Sequence, residues 1–115
     1  MTHNFRELKI WKESILLTKE IYELSVKLPE DEKYGLKSQI KRSSSSIPSN
    51  IAEGSGRGTI KDFGYFLNIS LGSAYELETQ LVMIDLLFGI NSDNIVLKIN
   101  ELQRMIKGFK KSLGE

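Results

Sequence analysis

Residues 43–58, with the sequence SSSSIPSNIAEGSGRG, carry the residue types most able to take part in chemistry. A serine acts as a nucleophile only when a positioned base removes its proton, and clustered glycines suit a phosphate-binding loop. The one histidine of the chain is His3, so no interior histidine is available as that base. The glycines also lack the Gly-Lys-Ser/Thr ending of a P-loop. The pattern therefore indicates a helix that ends in glycines, and we expect no enzyme.

Metal and cofactor chemistry are the next possibilities for a helical chain. Di-iron bundles use Glu-x-x-His pairs, but no histidine follows Glu76 or Glu78 at that spacing. The chain has no cysteine, which excludes disulfides, thiolate metal sites and cysteine nucleophiles. We expect no metal, no haem and no other cofactor.

Basic side chains form two ridges at helical spacing. The first holds Lys33, Lys37 and Lys41 beside Arg42, with Arg57 and Lys61 following near the glycines. The second holds Arg104, Lys107 and Lys111, flanked by Lys110. Such ridges can neutralise phosphates without reading a base sequence, which predicts contact with RNA or DNA. The alternative is a solvated helix surface balanced by nearby glutamates, since the net charge is only +1.

The composition is typical of one soluble globular domain. Of the 115 residues, 40% are apolar and 27% are charged. No apolar run approaches the ~18 residues that span a bilayer, and the N-terminal sequence has no apolar region of a signal peptide. We expect a single domain over residues 1–115, a cytoplasmic location and no membrane partner.

Apolar residues recur at three- and four-residue spacing along the chain, which predicts four helices. Their expected ranges are 5–28, 34–54, 60–88 and 93–113. The third has the most regular seam, formed by Phe63, Leu67, Ser70, Ala74, Leu77, Leu81, Ile84 and Phe88. Four long helices with short loops predict an all-α fold, an antiparallel up-down-up-down four-helix bundle.

Pro48 lies inside the second predicted helix. Proline removes a backbone donor and crowds the carbonyl four residues earlier, so we expect a kink near Pro48. The neighbouring serines are expected to donate to the carbonyls that are freed.

A second apolar stripe runs along the third helix. It consists of Leu71, Tyr75, Val82 and Leu86, and Trp11 can join it. Either this stripe faces another helix of the same bundle, or it forms an exposed band, as oligomer interfaces do.

Several segments together resemble the bacterial four-helix-bundle proteins named for 23S rRNA intervening sequences, also labelled S23 ribosomal proteins. The segments include FRELKIWKES, SIPSNIAEGSGR and FLNISLGSAYELETQL, and the similarity extends from Phe5 to about Leu113. In the second helix the matching positions are Gln39, Arg42, Ile47, Pro48, Asn50, Ile51, Ala52, Glu53, Gly54 and Arg57. In the third they are Gly72, Ser73, Glu76, Leu77, Glu78, Gln80 and Leu81.

The resemblance implies a bundle that assembles into a ring-shaped homo-oligomer, usually a pentamer. It also relates the chain to accessory proteins of diversity-generating retroelements. Within the matching positions we interpret Pro48, Asn50, Glu53, Gly54, Gly72 and Glu76 as a structural motif. The resulting hypothesis is a homo-oligomeric accessory protein for RNA or DNA, and its rival is a scaffold that binds another protein and no nucleic acid.

Overall fold

Four α-helices make up the computed structural model, which describes residues 3–32 and 35–114. They are α1 (Lys9–Ser25), α2 (Leu36–Ser55), α3 (Ile60–Phe88) and α4 (Asp93–Ser112). Two short 3-10 turns, Phe5–Glu7 and Glu30–Glu32, precede α1 and α2. No strand occurs in these ranges. The expected start of the second helix at position 34, and Lys33 of the first basic ridge, lie outside the described residues.

The helices form an antiparallel bundle in cyclic order, in which each packs against the next and α4 packs against α1. Cross-helix contacts show the direction of packing. Residues 18 and 22 of α1 lie against residues 44 and 41 of α2, and residues 75 and 78 of α3 lie against residues 107 and 103 of α4. The bundle measures 45 × 22 × 20 Å. The all-α four-helix bundle predicted from the apolar spacing is therefore confirmed.

The core is built from the predicted seams. The seam residues of α3 from Phe63 to Ile84 are all buried, and α2 contributes Leu36, Ile40, Ile47 and Ile51. Ile99, Leu102 and Ile106 of α4 and the Ile10–Leu28 stripe of the α1 region complete it. Fully burying each such side chain contributes roughly 1.5–3 kcal/mol, which makes this core the main source of stability.

The first helix is shorter than the range expected from its apolar spacing. Leu8 is extended, at φ −75° and ψ 128°. The residues before it form a separate 3-10 turn, in which the Asn4 side chain accepts a hydrogen bond from the Arg6 amide. At the other end, Ser25 donates its hydroxyl to the Tyr22 carbonyl, and the chain then turns toward Pro29. Buried Leu28 therefore belongs to this turn and not to α1.

Helix α2 continues through Pro48 without interruption, because a neighbouring helix replaces the lost amide. The Ser44 carbonyl, which an amide at position 48 would normally satisfy, accepts a 3.1 Å hydrogen bond from Thr18 Oγ1 of α1. Serines 43, 44 and 45 instead donate to carbonyls three residues earlier in their own helix. The expectation that these serines satisfy the freed carbonyl was therefore wrong.

Small and polar residues join α2 to α3. Ser43 Oγ donates to buried Gln80 at 2.7 Å, Ser46 and Ser73 hydroxyls lie 2.8 Å apart, and Ser70 Oγ donates to the Ile47 carbonyl at 2.9 Å. Gly54 allows the closest approach, since a Cβ there would lie 2.8 Å from Phe66 Cβ. This seam explains why the motif needs small residues: they let two long helices pack closely with every shared polar group paired.

Candidate nucleic-acid interface

One end of the bundle brings together three separated parts of the chain. His3 packs edge-on against Phe63 and Phe109, with ring centroids 5.2 and 6.0 Å apart, and its amide donates to the Ser55 carbonyl. The start of the chain, the α2–α3 turn and the end of α4 therefore meet. We define the basic end as the half of the bundle formed by residues 3–13, 52–66 and 101–114; on α4 it reaches the middle of the bundle, where Lys107 lies over the Tyr75 ring of α3.

The basic end carries nine basic and five acidic side chains. The basic ones are Arg6, Lys9, Lys12, Arg57, Lys61, Arg104, Lys107, Lys110 and Lys111. All are exposed except Lys110, which is partly buried. The remaining described residues, 14–32, 35–51 and 67–100, form an acidic half with six basic and nine acidic side chains. The bundle is thus polarised along its long axis, although the whole chain has a net charge of only +1.

Few of these cations are neutralised by the bundle itself. Arg57 pairs with Glu53 at 3.1 Å and stacks on Phe66, and Arg104 pairs with Glu101 at 2.6 Å. Within residues 3–32 and 35–114, no carboxylate lies within 4.0 Å of the other seven. Exposed ion pairs contribute only ~0–1 kcal/mol, so a phosphate can compete with Glu53 and Glu101 for their arginines.

Of the eight cations predicted to contact phosphates, five lie at the basic end. They are Arg57, Lys61, Arg104, Lys107 and Lys111. Lys37, Lys41 and Arg42 lie in the acidic half, where Lys37 is 3.8 Å from Glu30, Lys41 is over the Tyr22 ring and Arg42 donates to Ser38. The structure therefore separates the two clusters that the sequence placed in one ridge.

Sequence reasoning missed Arg6, Lys9 and Lys12 as members of the basic end. Their positions follow from the antiparallel topology, because the N-terminus of α1 must lie beside the α2–α3 turn. The predicted helix order contained that signal, but spacing along single helices does not reveal it.

The motif residues lie mainly along the α2–α3 seam. Asn50 donates hydrogen bonds to the Ser46 carbonyl and hydroxyl at 2.8 and 2.9 Å. Glu53 forms an ion pair with Arg57, and Pro48 is buried within α2. Arg42 and Glu76 line two shallow polar depressions on the outer side of this seam. Gly72 differs from Gly54, because no atom lies within 4 Å of where its Cβ would be.

The outer surface of α3 carries a long exposed apolar band. We call the α3 band the set Tyr65, Ile69, Tyr75, Val82, Met83, Leu86 and Leu87. From residue 65 to residue 87 it extends about 33 Å at 1.5 Å per residue. Of the five predicted interface residues, Tyr75, Val82 and Leu86 belong to it. Leu71 and Trp11 differ, since both are partly buried against the bundle's own core.

Residues 3–32 and 35–114 contain no group of three or more His, Asp and Glu side chains placed to hold a metal ion. None of the helices described above is long and apolar enough to cross a membrane.

Comparisons with known proteins agree with the fold. Residues 6–108 match the family model described as 23S rRNA-intervening sequence protein. A crystal structure of a protein of unknown function from the S23 ribosomal protein family of Bacteroides thetaiotaomicron VPI-5482 is similar, with a TM-score of 0.78 and 26% identity. The alignment covers 89% of this chain and 98% of that one. No curated protein matches. Because the family model spans most of its length, the chain belongs to the 23S rRNA-intervening sequence protein family.

Proposed function

We propose that this chain is a non-enzymatic, cytoplasmic, homo-oligomeric bundle that acts as an accessory protein for nucleic acid. The observation that carries the proposal is that nine basic side chains, drawn from three separate segments, lie in one half of the bundle and outnumber its five acidic side chains. Phosphates are bound by such clusters through charge and counterion release, without base-specific contacts.

The size of the basic end suits a duplex backbone. The two short dimensions of the bundle are 22 and 20 Å, and phosphates along one strand are spaced about 3.4 Å apart. A duplex crossing the end therefore presents roughly six phosphates per strand. The acidic half repels phosphate, so binding is directed to the basic end.

Structured RNA is the first ligand to test, because the family's name refers to sequences that intervene in 23S rRNA. The exposed cations provide point charges for phosphates, and double-stranded RNA is recognised mostly through its shape and backbone. The proposal requires no base readout by these side chains.

Assembly is part of the proposal, with the α3 band as the contact between copies. The seven large apolar side chains of this band are exposed along α3, as is common at interfaces between subunits, and Gly72 among them leaves room for a close helix. Lys61 lies one turn before Tyr65, so the band leads to the basic end. A ring-shaped oligomer, with five copies as the resemblance implies, would present several basic ends to one RNA.

Light scattering on the purified protein tests both parts together. We expect an assembled particle without RNA, and an increase in mass when a structured stem-loop RNA is added at about 50 mM salt. At about 200 mM salt the added mass should fall strongly, since binding through phosphates is salt-dependent. RNA binding that is absent, or equal at both salt concentrations, contradicts the proposal.

A protein-binding scaffold is the second candidate, favoured by the same α3 band. It predicts that Tyr75→Glu abolishes capture of a protein partner, while reversing the charges of Lys41 and Arg42 leaves capture intact. RNA binding would be absent in that case.

A further inference from the structure

The seam between α1 and α4 is the least extensive in the bundle and contains two depressions. The first, of about 170 Å³, lies around Leu17, and the second, of about 200 Å³, lies around Leu24. Glu20 lines both, and its carboxylate meets the Lys98 ammonium at 2.7 Å across the seam. We call the two depressions together the α1–α4 groove.

The groove has an apolar floor. Leu16, Leu17, Leu102 and Met105 line the first depression, and Leu24 and Ile95 line the second. Leu16 is 57% exposed, although it points toward this seam. Leu17, Leu24 and Leu102 are already buried, so Leu16 is the part of the floor that is stabilised most when a further apolar group covers it.

The rim of the groove is predominantly acidic. Glu13, Glu20, Glu23 and Glu101 provide four carboxylates, of which Glu20 pairs with Lys98 and Glu101 with Arg104, and Lys27 adds a further ammonium group. Glu13, Glu101, Leu102 and Met105 also lie within the basic end, so the groove runs from that end into the acidic half. The excess of carboxylates on its rim repels phosphate. It favours a ligand that combines apolar carbon with positive charge.

The volumes indicate single side chains. Each depression is smaller than the roughly 300–1,000 Å³ of pockets that enclose small-molecule ligands. Arginine and lysine place an aliphatic stem on apolar surface and keep the charged head at its polar edge. A depression with a leucine floor and a carboxylate rim is complementary to such a side chain.

The spacing indicates a helix. Leu17 and Leu24 are seven residues apart, which is about 10 Å along α1. A helix lying along the seam presents side chains two turns apart at the same distance. We propose that the α1–α4 groove binds a cationic amphipathic helix of a protein partner, with two arginine or lysine side chains seven residues apart in the two depressions.

A designed peptide tests this directly. The probe is an acetylated and amidated helix of about 18 residues, with arginines at the fifth and twelfth positions and leucines on the same face. The control peptide has glutamates in place of the arginines. The NMR signals of the methionine methyl groups report where the peptide binds, because Met105 lines the groove while Met83 lies on the α3 band.

We expect the arginine peptide to shift the Met105 methyl signal saturably and to leave Met83 unchanged, with no saturable shift from the glutamate peptide. A shift of Met83 instead of Met105, equal shifts from both peptides, or no saturable shift overturns the proposal. Neither peptide result depends on RNA binding, so failure here is distinguishable from failure of the proposed function.

Two variants verify the location. Leu16→Lys puts a positive charge on the floor of the groove, which repels the arginine side chains of the peptide and should weaken its binding about tenfold. Leu97→Lys is the matched control, since Leu97 is 66% exposed on α4 and lies outside both depressions. In the control variant the affinity for the arginine peptide should stay within about twofold. If Leu16→Lys instead lowers the mass of the assembled protein, a second copy fills the groove and the proposal is wrong.

Discussion

Thr18 on α1 donates its hydroxyl to the Ser44 carbonyl on α2 at 3.1 Å, sharing the proton with the Ser14 carbonyl at 2.8 Å. The Ser44 carbonyl is the group left without an intrahelical amide by Pro48. A proline inside a helix and a threonine on its neighbour thus form one unit. This pairing lets α2 contain proline and still pack along its full length.

Removing the Thr18 hydroxyl should therefore destabilise the bundle. Thr18→Val keeps the shape and leaves the Ser44 carbonyl unsatisfied, which costs about 1–3 kcal/mol of unfolding free energy. Pro48→Ala restores the backbone amide. In a double-mutant cycle measured by urea unfolding, Thr18→Val should cost about 1 kcal/mol less in the Pro48→Ala background. Equal costs in both backgrounds would show that the two residues act independently.

Gly54 is required for the close approach of α2 and α3. Gly54→Ala places a Cβ 2.8 Å from Phe66 Cβ and 2.9 Å from Phe63 Cδ1, so the helices must separate. We expect a loss of about 1–3 kcal/mol in thermal or urea unfolding. Gly108→Ala is the matched control, because a Cβ at position 108 meets open space in α4. Alanine there should stabilise by up to ~1 kcal/mol through helix propensity. A neutral Gly54→Ala would mean that the seam is loosely packed.

Much of the fold could be predicted because it depends on local pattern. The α3 seam from Phe63 to Ile84 is buried as expected, and α3 begins at residue 60 as predicted, where Thr59 Oγ1 accepts a 3.1 Å hydrogen bond from the Asp62 amide. The Thr18–Ser44 bond could not be predicted, since it depends on the register between two helices.

The candidate site was predictable only in part, for a related reason. Order along the chain grouped Arg57 and Lys61 with Lys37, Lys41 and Arg42, whereas antiparallel packing brings the α2–α3 turn to the start of the chain and the end of α4. Charge that is dispersed along the chain becomes concentrated only when distant segments meet. Leu71 is a further example. Its place in the second apolar stripe leaves open whether it faces the core or the solvent. The neighbouring helices decide this, and Leu71 packs partly against the core.

The α3 band should hold the assembly together. Leu86 is 81% exposed, so Leu86→Asp should leave the monomer folded while adding a charge at the contact between copies. We expect a lower mass by light scattering and an unchanged helical circular dichroism signal. Val26→Asp is the control, since Val26 is 78% exposed on the acidic half and outside the band. If both variants keep the mass of the parent protein, this band is not the contact.

The salt dependence of RNA affinity in charge-reversal variants tests the central claim most directly. Lys61→Glu with Lys111→Glu alters the basic end, and Lys19→Glu with Lys27→Glu makes the same charge change in the acidic half. With a stem-loop RNA, we expect the first pair to lower affinity at least about tenfold and to reduce the slope of log K against log salt by about 2. The second pair should keep the slope of the parent protein. Equal slopes for both pairs, or a larger loss from the acidic-half pair, would contradict the assignment of the basic end as the phosphate-binding surface.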